Sequence, residues 1–291
     1  MPHQIYLLII LIYAGYHIGR LIFFYLKSAQ AIQNAPAFKI RYASQEYVKL
    51  LGTIEACGDL VTAPLTGTSC CWYQYIIERR RGYRWSPILI KNSDQSFLLS
   101  EEGCECLIVP PYNTITDGGK IKRQVSKTIP ENLLPKQLLA TSMFSQRGLF
   151  GWRTKYRITE TCFFPGDTVY ALGLFRIISL SDDKPFGAVD QNSLVGAQPS
   201  SAASKVKSAN KLSALKTTML EKVWTKIQDY KKSRGITSQL VNLLIAPDMP
   251  LQPYVLSSRP LNLLAKRYRL LAFFWTLVIL FSGVFYVQCL S

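Results

Sequence analysis

The sequence predicts an α+β chain, with a β-rich central domain (a small barrel or sheet) and accessory helices, flanked by two transmembrane helices. Three observations predict it. Long apolar runs occupy both ends, and short aromatic and β-branched segments separated by Gly and Pro fill residues 46–180. Beyond them a polar, Gly- and Ser-rich stretch leads into a segment with apolar residues at helical spacing.

The end runs set the predicted boundaries. Ile5 to Leu26 reads IYLLIILIYAGYHIGRLIFFYL, and Leu270 to Leu290 reads LLAFFWTLVILFSGVFYVQCL. A bilayer core takes about 20 apolar residues in a helix, which both runs reach. The first run holds His17 and Arg20, with Arg20 near enough to its end to snorkel toward headgroups. The expected division is a first transmembrane helix over 1–26, a linker over 27–45 and a β-rich core over 46–180. A linker with accessory helices follows over 181–269, then a second transmembrane helix over 270–290. Lys27, Lys39, Arg41, Arg259, Lys266, Arg267 and Arg269 all flank the runs on the inner side. In a bacterial inner membrane that asymmetry would place the central domain in the cytoplasm, as part of a two-pass integral membrane protein.

Of the 291 residues, 34 are Lys or Arg and 18 are Asp or Glu, a formal net charge of +16. The bases are scattered, with one cluster at Arg79, Arg80, Arg81 and Arg84. Attraction to an anionic lipid surface accounts for this charge more simply than nucleic-acid binding does.

Catalytic chemistry is constrained by what the middle of the chain lacks. The two histidines are His3 and His17, so the central domain has no imidazole for a Ser-His-Asp or Cys-His centre. The seven cysteines (Cys57, Cys70, Cys71, Cys104, Cys106, Cys162 and Cys289) contain no pair at zinc-knuckle spacing. They fit a reducing compartment better than a disulfide framework. No phosphate-binding glycine loop or dinucleotide fingerprint appears, so no cofactor, metal or catalytic residue is expected.

Within the core, strands are expected at Glu46–Cys57, Cys70–Arg79, Pro87–Lys91, Ser96–Ser100, Glu105–Val109, Arg153–Phe164 and Thr168–Ser179. Gly52 interrupts the first and marks a bulge or a close backbone approach. Pro110–Pro130 reads as a polar loop, and Leu133–Ser145 as a helix. Pro165-Gly166-Asp167 is a tight turn. Farther on, Ser181–Ser204 reads as a linker. Lys205–Lys232 reads as an amphipathic helix, and Ile236–Ile245 as a shorter one stopped by Pro247.

Taken in order, several motifs resemble a known family. They are Gly52-Thr53-Ile54, Ala63-Pro64-Leu65-Thr66-Gly67, Trp72-Tyr73 leading into Glu78-Arg79-Arg80, Thr159-Glu160, Pro165 to Gly173, and Tyr254 to Ser258. Their order between two apolar runs resembles the GIDE, or beside-a-membrane, domain of membrane-anchored mitochondrial ubiquitin ligases and their bacterial relatives. Ligase members carry a RING finger after the second span, whereas this sequence reaches Ser291 two residues after Cys289. The resemblance therefore implies a RING-less relative that does not transfer ubiquitin unaided.

The expected function is a membrane-tethered interaction or ligand-sensing module. The alternatives are ubiquitin transfer through a RING-bearing partner and, more weakly, nucleic-acid binding by an OB-like barrel. Expected partners are the bilayer with its anionic lipid surface and an unidentified protein. Candidate ligand- or partner-binding residues are Pro64, Thr66, Trp72, Glu78, Arg79 and Glu160. Glu160, an acid in an apolar strand, is expected either to pair with Arg79 or another strand arginine, or to line a ligand pocket.

Overall fold

The computed structural model describes residues 2–126, 133, 155–179, 225–228, 230, 240–247, 249 and 251–290. Thirteen strands are present among the described residues: β1 Tyr47–Ala56, β2 Val61–Thr62, β3 Ser69–Cys70, β4 Trp72–Arg81, β5 Arg84–Asn92, β6 Phe97–Glu101, β7 Cys104–Ile108, β8 Ile115–Asp117, β9 Lys120–Ser126, β10 Tyr156–Phe163, β11 Thr168–Ser179, β12 Leu240–Ile245 and β13 Val255–Ser257. Helix α1 spans Pro2–Asn34 and α2 spans Leu261–Leu290.

The expected α+β class is corrected to a mostly β fold, with 43% of the structure in strands and a five-stranded barrel at its centre. The barrel closes because β1 pairs with both β6 and β11. From β6 the order runs through β7 and β12 to β11, with β7 and β12 parallel and the other pairs antiparallel. Numbering these five strands in chain order gives 1-2-3-5-4-1, the OB-fold order.

Alternation along the strands builds the interior. In β1, Val48, Leu50 and Ile54 point inward, and they meet Phe97, Leu99, Cys106, Ile108, Val169, Ala171, Phe175 and Leu244. Gly52 and Gly173 are set by close approaches. A Cβ at Gly52 would lie 2.7 Å from the Ser100 carbonyl oxygen, and one at Gly173 would lie 2.8 Å from the Tyr254 ring.

The two membrane spans are corrected as well. Among the described residues no helix is long and apolar enough to cross a membrane. In α2, Lys266, Arg267 and Arg269 charge the part of the helix that precedes Leu270. In α1 the described side chains include His17, Arg20 and Lys27. The two-pass integral placement is therefore withdrawn. The helices pack on each other and on the barrel: Ile32, Ala35, Leu261, Leu264 and Ala265 join Leu172 and Val255, and the Tyr25 and Tyr268 rings lie 5.7 Å apart.

Two expected elements change type. Leu240–Ile245, read as helical, is strand β12, because it fills the gap between β7 and β11. The loop expected over Pro110–Pro130 holds β8 and β9. The expected Leu133–Ser145 helix beyond Leu133, the Ser181–Ser204 linker and most of Lys205–Lys232 lie outside the described residues. At the end of the last segment, residues 225–228 and 230 are helical, with Ile227 and Tyr230 buried against the barrel.

Candidate binding face and the Glu160-held turn

A second sheet, β5-β4-β10-β9, grows from two insertions into the barrel, one between β1 and β6 and the other between β7 and β11. Trp72 and Phe163 face each other at its root, with ring centroids 5.9 Å apart, and both join the barrel core. Trp72 is fully buried, so it anchors the sheet and does not line a surface.

Strand alternation separates the two faces of this sheet. One face carries Tyr75, Ile77, Tyr156 and Ile158, which form a small core with Leu133. On the other, register places Ile90, Ile76, Thr159 and Arg123 in one row, and Pro87, Glu78, Arg157 and Val125 in the next. A third row, Asn92, Gln74, Thr161 and Ile121, is partly roofed, since Gln74 donates to the Thr114 carbonyl and accepts from the Thr116 hydroxyl. The remaining rows have no cover among the described residues: Ile90 and Val125 are 52% and 57% exposed, and Ile121, at the open end of the third row, is 52% exposed.

The same face carries a fixed charge pair. Arg157 reaches Glu78 through two parallel bonds, the Nη2 to Oε1 one measuring 2.7 Å, and its guanidinium lies 4.8 Å from the Trp85 ring centroid. The hydrogen bond to Glu78 raises the pKa of Arg157 still further. Arg80 and Arg123 are exposed around this pair. The outward face is therefore apolar in its middle and positive at its margins.

Glu160 lies on the covered face, fully buried. Its carboxylate accepts from the Leu65 N–H at 2.7 Å, the Thr66 N–H at 3.1 Å and the Thr66 hydroxyl at 2.7 Å, while the Cys162 thiol donates to it at 3.8 Å. These bonds hold the turn between β2 and β3, which is closed by Gly67 N–H donating to Ala63 and Ala63 N–H donating to Thr68. The expected ion pair with Arg79 does not form. Arg79 lies opposite Tyr156 and Glu160 opposite Tyr75, about 13 Å apart along the strand at roughly 3.3 Å per residue. An anion held by convergent N–H and O–H donors needs no cation at hydrogen-bond distance.

The six candidate residues thus divide. Pro64, Thr66 and Glu160 meet at the turn, Trp72 is core, and Glu78 and Arg79 point to opposite faces. Arg157 and Trp85 were missed by sequence reading, because their relation to Glu78 exists only through cross-strand register. A shallow cleft of about 300 Å3 lies elsewhere, between Gly119, Asp167, Thr168 and Ser258. Several of its polar groups are engaged: Gly119 N–H donates to Ser258 Oγ, and Asp167 Oδ2 accepts from Phe164 N–H at 2.8 Å. Among the described residues no group of three or more His, Cys, Asp or Glu is placed to hold a metal ion.

No family model, no curated protein and no solved structure matches the chain.

Proposed function

We propose that the chain is a non-catalytic binding module, and that the outward face of its four-stranded sheet takes a protein segment presenting carboxylates beside apolar side chains. The observation that carries this reading is the row Ile90, Ile76, Thr159 and Arg123 with its neighbours Ile121 and Val125, an apolar strip bordered by arginines. Large half-exposed side chains gathered on one rigid sheet are characteristic of interaction sites. Arg80 and Arg123 supply the charge that selects an anionic partner. The Arg157–Glu78 pair, seated on Trp85, holds its own geometry before any partner arrives and so reduces the ordering cost of binding.

The OB strand order and the net charge of +16 favour a second reading, nucleic-acid binding. OB folds bind oligonucleotides across their second and third strands, here β6 and β7. That outer surface is occupied: Leu98 and Leu107 are buried beneath Ile227 and Tyr230, and the acids beside them are the exposed Glu102 and the half-buried Glu105, which accepts from the Tyr230 hydroxyl. An apolar, acidic surface opposes phosphate binding, so the protein-segment reading is preferred.

The test uses the full chain and fluorescein-labelled peptides with alternating acidic and apolar residues, alongside basic and scrambled controls. The resemblance to GIDE domains makes acidic segments of RING-bearing proteins one class to include. Binding of the acidic-apolar set that falls at least tenfold in Arg123→Glu and Ile90→Asp, but not in the barrel control Arg176→Glu, supports the proposal. Binding of single-stranded DNA or anionic vesicles in preference to every peptide, or identical affinity in all variants, overturns it.

A further inference from the structure

The four-stranded sheet ends in two edges, β5 on one side and β9 on the other. The β5 edge is broken. Its register slips where Ile77 faces Leu89 and Glu78 faces Pro87, which leaves Ile88 as an extra residue, and Pro87 has no N–H to offer. Bulges and prolines of this kind close an edge to further pairing. The β9 edge has neither. Lys120–Ser126 reads KIKRQVS and pairs with β10 in unbroken register from Lys120 opposite Cys162 to Ser126 opposite Tyr156. Residues 121–125 are exposed whichever face they point to, and among the described residues no strand lies on the outer side of β9.

Alternation along the ladder decides which backbone groups face that side. The Arg80 N–H donates to the Lys155 carbonyl at 2.9 Å, one step beyond the Arg79–Tyr156 pair. Bonded and non-bonded pairs alternate in an antiparallel ladder, so Arg157, Thr159 and Thr161 also bond to β4. Tyr156, Ile158, Glu160 and Cys162 then turn their main-chain groups to β9, where they meet Ser126, Gln124, Lys122 and Lys120. The N–H and C=O groups of Ile121, Arg123 and Val125 are left pointing outward along the sheet. These are the same three residues whose side chains lie on the apolar outward face.

We infer that β9 receives the partner as an added antiparallel strand whose sequence runs apolar, polar, acidic, polar, apolar; this rests on the binding-module reading above and names how its ligand docks. The pattern follows from register. Residues that bond to Ile121, Arg123 and Val125 put their side chains on the same outward face. Those opposite Ile121 and Val125 extend the apolar rows, and the one opposite Arg123 meets a guanidinium, so it is Asp or Glu. The two between them lie beside the exposed Lys122 and Gln124 on the other face, where polar residues suit. Main-chain bonds then supply affinity and alternate side chains supply specificity. A segment that enters at β9 continues across the strip toward Ile90, so the edge sets the register and the face takes the remaining apolar groups. Charge argues against a second copy as the occupant. With three bases and no acid, β9 laid antiparallel on its own copy sets Lys122 and Arg123 against the same bases, a repulsion that an acidic strand replaces by attraction.

The experiment titrates the full chain with a fluorescein-labelled peptide that has a Val-Thr-Glu-Thr-Val core between alternating acidic and apolar residues, read by anisotropy. Two N-methylated forms keep every side chain. One is methylated on the core Val and Glu nitrogens, which face β9, and the other on the two Thr nitrogens, which face away. The expected result is at least a tenfold loss of affinity in the first and less than a twofold loss in the second. Val125→Pro should reproduce the larger loss, because the N–H it removes points outward and not to β10; the peptide comparison needs no variant to fold. Equal losses in both methylated forms, or none in either, while Arg123→Glu still weakens the parent peptide, overturn strand addition and leave the face as the binding site. No binding by any acidic-apolar peptide overturns both readings. A dimer of the chain alone in sedimentation, lost in Val125→Pro, overturns the acidic occupant in favour of a second copy.

Discussion

The carboxylate of Glu160 and the hydroxyl of Thr66 meet at 2.7 Å across 94 residues of sequence, and this bond joins the hairpin turn to the middle of β10. Because Glu160 is fully buried, its removal leaves the Leu65 and Thr66 N–H groups without their acceptor. Glu160→Ala is expected to cost about 3 kcal/mol, and Thr66→Val, which keeps both N–H bonds, about 1 kcal/mol. Urea denaturation of the two variants checks the order; equal and small losses would show that the turn is held by other contacts.

Gly173 tests the barrel itself. An added Cβ would meet the Tyr254 ring at 2.8 Å and the Ile245 carbonyl oxygen at 2.9 Å, where β11 passes β12. Gly173→Ala should destabilise by about 1–3 kcal/mol through overpacking. Gly58→Ala, with nothing within 4 Å, serves as the control. A Tm unchanged in Gly173→Ala would contradict the tight crossing.

The Arg157–Glu78 pair is suited to a double-mutant cycle, since side-chain exposures of 25% and 16% leave it partly screened. Its bidentate geometry should give a coupling of about 1 kcal/mol. Arg157→Ala should cost more than Glu78→Ala, because it also removes the cation–π contact with Trp85. Tryptophan fluorescence of the Arg157 variant reports that second contact directly, and no spectral change would argue against the stacking.

Alkaline unfolding follows from the buried tyrosines. Burial pushes Tyr75 up to about 12, and Tyr156 and Tyr254 are raised for the same reason. Their folded values lie above the unfolded value of 10.0, so the stability they contribute is full below pH 10 and is lost as pH rises through about 12. Absorbance at 295 nm should therefore show a late tyrosinate step that coincides with loss of near-UV circular dichroism. Complete tyrosinate formation with the circular dichroism signal intact would refute this.

Local alternation made most of the core strands legible. Tyr47–Ala56 interleaves buried and more exposed positions long enough for a period of two to stand out, whereas Thr168–Ser179, with Ala171, Leu172 and Gly173 buried in succession, stands out by its β-branched and aromatic residues. Leu240–Ile245 was not legible: a short apolar run between prolines and polar residues carries no reliable period, and it becomes a strand because β7 and β11 present edges to it. Of the site, the oddity of Glu160 was visible as an acid in an apolar strand, but its partners were not. The sequence suggested an arginine, whereas the fold brought backbone donors from a turn 95 residues earlier.

The amino-acid sequence by itself determined where the long core strands lie, that both histidines fall in α1, and that Pro165-Gly166-Asp167 turns the chain between β10 and β11. These depend on residues within a few positions of one another. Tertiary structure alone decided barrel closure, the pairing of Arg157 with Glu78, the capture of the Thr66 turn by Glu160 and the exposed strip from Ile90 to Arg123. Each depends on register between strands distant in sequence, where a shift of one residue would send every side chain to the other face.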